Sequence, residues 1–315
     1  MQANQNPQFN AQEPILIRGV ASQQLETLTH RLSGYAKSCS ILWLSALGLP
    51  VLNGLIVDSC RPYSFERVRN FSKSQRSHSL LLRIDRKNQR WTSRRGGYLV
   101  ELETIPRLCA ELSREEFIPI LLEPASPYLN HCALTALILE DEGQLVIEAV
   151  GAGFDASDIL RSDLMPHERW KLSLSRQMEA WHAGESPKRT FLVSRKEYEA
   201  SRKKRLSKIA AKMLNPSFPE RAGAGESEEH LLNLAASFLQ KTGETTLLST
   251  ADYTALSVST VEEFARLALE LKNGLDRSAS GIASISVAAS VIGDGRMVFW
   301  DFFPTDRSKI SLLWN

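Results

Sequence analysis

The 315-residue sequence predicts an α+β protein. Three observations carry that expectation. Short apolar runs of strand type, such as Leu80-Leu81-Leu82 and Phe117 to Leu122, alternate with stretches of helical period. A glycine–proline turn, Gly48-Leu49-Pro50-Val51, joins one such helix to an apolar strand. The chain closes on two apolar runs, Ile282 to Ile292 and Met297 to Phe302, joined by Gly293-Asp294-Gly295.

Composition sets the bounds. A hydrophobic content of 43% with 23% charged residues allows a sizeable core, in one large or two ordinary domains. The net charge of +2 singles out no partner class, although the positive residues are clustered. No apolar run approaches the roughly 20 residues of a membrane helix, so no membrane partner is expected. Residues 1–13 are polar, rich in Gln and Asn, and read as a frayed tail. Cys39, Cys60, Cys109 and Cys132 match no zinc or redox spacing, and most sit in apolar surroundings. The cytoplasm is the expected compartment. The six histidines form no ligand pair, so no zinc site is expected.

In chain order, Pro14 to Ile17 reads as a short strand and Gln23 to Leu32 as a helix. Lys37 opens the next helix, which stops at Gly48; Leu55-Ile56-Val57 is then a buried strand. A lysine there has two readings. It is either a solvated first-turn residue or a phosphate-binding cation helped by the unpaired N–H groups of the helix start. Arg61 to His78 reads as a basic connector, followed by a strand, Ser79 to Ile84, in which Arg83 ends the apolar run. A basic loop, Asp85 to Arg95, leads through Gly96-Gly97 to a strand ending at Leu102. Gly96 and Gly97 either let the backbone approach a phosphate or make a plain turn.

Residues 103–116 read as a helix and Phe117 to Leu122, Leu134 to Leu139 and Gln144 to Val150 as strands. Glu123 ends the first of these strands and Glu148 lies in the last. Residues 170–230 carry a basic helix, with Arg202-Lys203-Lys204-Arg205 at its centre, and then a Pro/Gly linker. A helix opens at Ser227-Glu228-Glu229, and another runs from Thr260 to Gly274 before the closing hairpin.

The order of these features resembles the ATP-grasp nucleotide-binding domain of the phosphoenolpyruvate synthase and pyruvate phosphate dikinase family. The family opens G-G-K-G-x-N-L and continues G-L-P-V-P-x-G-F. Here Lys37 stands at about the lysine spacing before Gly48-Leu49-Pro50-Val51, with Gly54 at the later glycine. Tyr35-Ala36, Ser38 and Leu52 depart from the pattern. The family's V-x-V-R-S-S aligns with Leu80 to Asp85 and places Arg83 on the ATP-contacting arginine. Gly151 and Gly153 fit a G-L-G-E turn, and Pro166 a later proline. On the last hairpin, Asp301 stands at the metal-binding glutamine and Pro304 at the proline, while the companion glutamate position falls near Ala289.

The resemblance implies two α+β subdomains with a cleft between them, binding ATP and Mg²⁺. Lys37 and Arg83 would hold phosphates, Glu123 would border the adenine, Glu148 would lie in the cleft, and Asp301 would hold the metal. Each carboxylate has a plainer reading as a solvated strand residue. The implied boundaries are a tail to 13, a first subdomain 14–102, a lid-like second subdomain 103–170, a basic insert and linker 171–230, and closing helices and hairpin 231–315. The family's phosphohistidine and pyruvate domains are missing from the sequence, so an acceptor would come from another protein. Three functions stay open: an ATP- and Mg²⁺-dependent phosphotransferase, a degenerate ATP-grasp-like binding or structural module, and a nucleic-acid binder using the basic clusters.

Overall fold

The computed structural model describes residues 13–58, 62–88, 98–124, 132–139, 143–151, 168–173, 188–191, 256–278, 284–292 and 295–304. The described residues form an α+β structure built on two antiparallel sheets. The expected tail, the pair Gly96-Gly97, the Gly151-x-Gly153 turn beyond Gly151, Pro166, and the basic helix and linker of 195–230 lie outside the described residues.

The first sheet has the order β1-β2-β5-β3-β4: Ile15–Leu16 (β1), Gly54–Ile56 (β2), Phe117–Leu122 (β5), Ser79–Arg86 (β3) and Tyr98–Glu101 (β4). Helices Ser22–Arg31 (α1) and Ala36–Ala46 (α2) cover one face, where Ile41, Leu42, Leu81, Ile118, Ile120 and Leu122 share a core. Helices Pro62–Ser74 (α3) and Ile105–Ser113 (α4) cover the other, with Val68, Phe71, Leu80, Leu82, Ile84 and Leu112. Strand period decides the split: in β3 the even positions 80, 82 and 84 join the α3/α4 core and Leu81 the α1/α2 core. By the same alternation Arg83 and Asp85 share the α2-facing side.

The second sheet has the order β11-β10-β6-β7-β8-β9: Met297–Pro304, Ser284–Val291, Cys132–Leu139, Gln144–Gly151, Glu168–Ser173 and Lys188–Phe191. Helix Val258–Ser278 (α5) packs on one face. Val261, Phe264, Ala268, Leu271 and Leu275 recur at helical spacing and meet Leu134, Ile147, Val287 and Phe299. The Phe264 and Phe299 rings lie 5.6 Å apart between centroids.

Several expectations need revision. Arg61 to His78 is not a loop but contains α3, whose Phe65, Val68 and Phe71 point into the core at i, i+3 and i+6. The expected boundary at 170 falls inside a strand, Glu168–Ser173, and Lys188–Phe191, within the expected helical insert of 171–230, is also a strand. α5 does not stop at Gly274: a Cβ there would lie 2.7 Å from Leu47 Cδ2, so the glycine serves close helix packing rather than termination. Strand β5 completes the first sheet and pairs with β2 and β3, so that sheet runs past residue 102. The chain leaves it for the second sheet after Leu122.

The Gly48 stop holds and has a clear geometry. Gly48 has φ +77. Its N–H donates to Ser45 O at 3.0 Å, and Leu49 N–H donates to Leu44 O at 3.0 Å. That is a Schellman closure, with Leu44 and Leu49 packed in the same core. The turn then meets β11, where Phe299 N–H donates to Pro50 O at 2.8 Å.

Candidate functional site

The first turn of α2 meets β3 and β11 at one place. Lys37 is half-buried, and its Nζ donates to Ile84 O at 3.1 Å. Ile84 lies past Leu82–Tyr98, the last described pair between β3 and β4, so the ammonium caps a carbonyl beyond that ladder. One residue away, Arg83 reaches across to the second sheet. Its Nη1 donates to Trp300 O at 2.8 Å, and its guanidinium lies 5.7 Å from the centroid of a Trp300 ring. Ser40 of α2 adds a third link, its hydroxyl donating to Phe302 O at 3.1 Å. Lys37 and Arg83 thus each hold a main-chain carbonyl, Ile84 O and Trp300 O, where the two sheets adjoin.

Asp85, which sequence reasoning left in a loop, is a strand residue with 0% exposure. Its Oδ2 accepts the Ser38 backbone N–H at 2.8 Å, giving α2 a carboxylate at its first turn. Burial pushes the Asp85 carboxyl upward; the Ser38 hydrogen bonds and the Lys37 charge pull it down, and the Asp301 charge pushes it up again. Asp85 Oδ1 and the Ser38 hydroxyl are fully buried, and the hydroxyl lies against the same carboxylate. The signal for Asp85 was present in Leu-Arg-Ile-Asp: period two sends 83 and 85 the same way.

Asp301 is 7% exposed and owes its direction to a β-bulge. Phe299 pairs with Ala289 and Asp301 with Ala288, which leaves Trp300 as the extra residue. Phe299 and Phe302 thus both enter the α5 core, while Trp300 and Asp301 turn to the opposite side. Trp300 Nε1 donates to Ser290 Oγ at 2.9 Å there. The expected companion position, Ala289, is buried against α5, and the true neighbour of Asp301 is Ala288. No acid on β10 stands beside Asp301.

Glu123 and Glu148 lie elsewhere. Ile120 of β5 pairs with Arg83, and Glu123 is three residues further along, about 10 Å by strand rise. It accepts Asn53 Nδ2 at 2.9 Å and lies 3.7 Å from Arg296 Nη1. It stands where the chain crosses between the sheets. Glu148 occupies the same cross-strand row as Asp301, through Ala288 and Thr135, about 14 Å away by strand spacing. It pairs with Arg169 directly opposite, Nε to Oε1 at 2.8 Å. Arg169 and Thr135 were not singled out from sequence. Among the described residues, no group of three His, Cys, Asp or Glu is placed to hold a metal, and no helix is long and apolar enough to cross a membrane.

No family model matches the chain, and no curated protein sequence matches it. Among solved structures it is similar to the crystal structure of D-alanyl-alanine synthetase A from Vibrio cholerae, with 12% identity and a TM-score of 0.37. The match covers 87% of this chain and 56% of that one, so the chain spans little more than half the length of that protein. A likeness this distant says nothing of chemistry. The resemblance to the phosphoenolpyruvate synthase and pyruvate phosphate dikinase family gains no support from these comparisons.

Proposed function

We propose that the chain is an ATP-grasp-like nucleotide-binding protein whose phosphate end is held at the α2–β3–β11 junction. One observation carries the reading: Lys37 at the start of an 11-residue helix and Arg83, far apart in sequence, bond main-chain carbonyls of neighbouring strands, Ile84 O of β3 and Trp300 O of β11. Two half-buried cations next to a helix N-terminus suit the charge of a polyphosphate. Glu123, at the crossover, is the proposed border of the base, and Glu148 with Arg169 a polar part of the sheet floor further out. Gly96 and Gly97 remain candidate phosphate-approach residues by sequence order alone.

A degenerate module that binds nucleotide without transferring phosphate is the second reading. It is favoured by the ties of Lys37 and Arg83 to main-chain carbonyls, which already give both side chains structural work. Phosphotransfer to an acceptor on another protein needs the same cations to be released toward the nucleotide. Nucleic-acid binding has thinner support. Within the described part of the first basic cluster, Arg67 is ion-paired with Glu13 and Arg86 stacks on Phe117, 5.2 Å from the ring centroid.

Calorimetric titration with ATP, in EDTA and in Mg²⁺, tests the reading. Binding should appear in the wild type and weaken by about tenfold or more in Lys37→Ala or Arg83→Ala, the loss expected for one charge-assisted contact. A wild-type protein that takes up no ATP in either buffer removes the proposal. Release of phosphate from bound ATP then separates transferase from degenerate module.

A further inference from the structure

We propose that the face of the second sheet turned away from α5 carries a subsite for the hydroxyl groups of a neutral sugar or polyol, built from Glu148, Thr135 and Ser286. Strand alternation puts all three on that face, because Leu134, Ala136, Ile147, Ile285 and Val287 of the same strands enter the α5 core. Thr135 of β6 stands directly opposite Glu148 of β7, about 5 Å away at the roots of the side chains. Ser286 of β10 lies on the diagonal from Thr135, about 7–8 Å off. The neighbours of Thr135 on this face include two small ones, Ala288 across the strand and Ala133 along it.

These residues present oxygens that the chain itself does not use. Arg169 Nε and Nη2 both donate to Glu148 Oε1, and Oε2 takes no hydrogen bond among the described residues. The hydroxyls of Thr135 and Ser286, residues only 5% exposed, make none there either. Polar oxygens placed this deeply are costly unless a polar group meets them. The chemistry of that group follows from the set. Glu148 is 12% exposed, and Arg169 directly opposite offsets its charge, so a neutral group suits the row better than an ion. A carboxylate oxygen only accepts, whereas the two hydroxyls donate and accept, so the complementary group must do both. Sugar hydroxyls do so, several to one ring. A free sugar and the ribose of a nucleotide share this chemistry; the ribose case rests on the nucleotide reading, and the free-sugar case does not.

The probes are D-ribose, adenosine and dideoxyadenosine, which lacks both ribose hydroxyls, titrated into the full chain and followed by saturation-transfer NMR. The wild type should bind ribose or adenosine through the sugar protons, and dideoxyadenosine at least about tenfold more weakly than adenosine, the least that loss of contacts to a charged group implies. Thr135→Val and Ser286→Ala should each weaken binding about threefold or more, and Glu148→Gln about tenfold or more, as for a neutral and a charge-assisted hydrogen bond. Thr135→Val leaves the Glu148–Arg169 pair in place and carries the test if Glu148→Gln proves unstable. Ribose binding assigns a free-sugar subsite; adenosine binding without ribose binding assigns the ribose of a nucleotide. Binding of neither, or equal affinity in the wild type and all three variants, overturns the subsite. So does dideoxyadenosine that binds as tightly as adenosine while ribose does not bind. ATP binding with no binding of ribose or adenosine sinks the subsite alone. Ribose binding without ATP binding sinks the nucleotide reading and leaves the subsite standing.

Discussion

Asp85 sets a pH dependence that can be measured on the metal-free protein. Burial is the largest influence on its carboxyl and raises its folded pKa above the ordinary value. A raised carboxyl binds its proton more tightly in the folded chain than in the unfolded one. Its stabilising contribution is therefore full below the ordinary carboxylate range and is lost as pH rises through the folded value. In EDTA, the melting temperature of the wild type should fall relative to Asp85→Asn as pH rises from about 4 to about 7. Parallel curves would show that Asp85 is ionised throughout. Two thiols, the half-buried Cys39 and the buried Cys132, give a second residue-scale expectation. Burial pushes Cys39 up to about 11 and Cys132 up to about 12, so few thiolates exist at neutral pH. Mass-resolved labelling should modify both only after unfolding. Cys109 and Cys132 are buried, as expected of small apolar residues, whereas Cys39 is only half-buried.

Among the elements, three glycines make different demands. Gly54 in β2 is hemmed in by backbone: an added Cβ would lie 2.7 Å from Leu121 O. Gly54→Ala must move the β2–β5 pairing and should cost about 2–3 kcal/mol by chemical denaturation. The atom facing Gly274 is the tip of Leu47, which can turn aside, so Gly274→Ala should cost about 1 kcal/mol or less and be relieved in Leu47→Ala. Gly48→Ala meets nothing within 4 Å, yet its φ of +77 makes the turn strained, at about 1 kcal/mol. Sequence reading found the Gly48 stop because a glycine before Leu-Pro is a local signal. It misread Gly274 because a helix crossing Leu47 is a long-range fact. It missed α3 because its arginines and serines outnumber its stripe, although Phe65, Val68 and Phe71 already had helical spacing.

At the scale of the whole molecule, Arg83 is one of the links between the sheets. Its charge-assisted bond to Trp300 O and its place over the ring should together contribute about 2–3 kcal/mol. Arg83→Ala should lower stability by that order, and Arg83→Lys should recover little, because a lysine lacks the planar guanidinium that both bonds and stacks. Full stability in either variant would mean that the α2 contacts alone hold the sheets together. That Lys37 stands at a helix start and Arg83 near a strand end was legible in the sequence. The cross-strand neighbour of Asp301, Ala288 rather than Ala289, was not, since no count along the chain reveals an extra residue in the pairing.

The inserted tryptophan has a consequence for chain length. Deleting Trp300 would restore regular alternation, with Phe299 and Phe302 still facing α5 and Asp301 still facing away, but Arg83 and Ser290 would lose the partners that Trp300 gives them. The extra residue thus adds one ring and one carbonyl on the side away from α5, and a three-base deletion in the coding sequence would take both while leaving the rest of the strand in register.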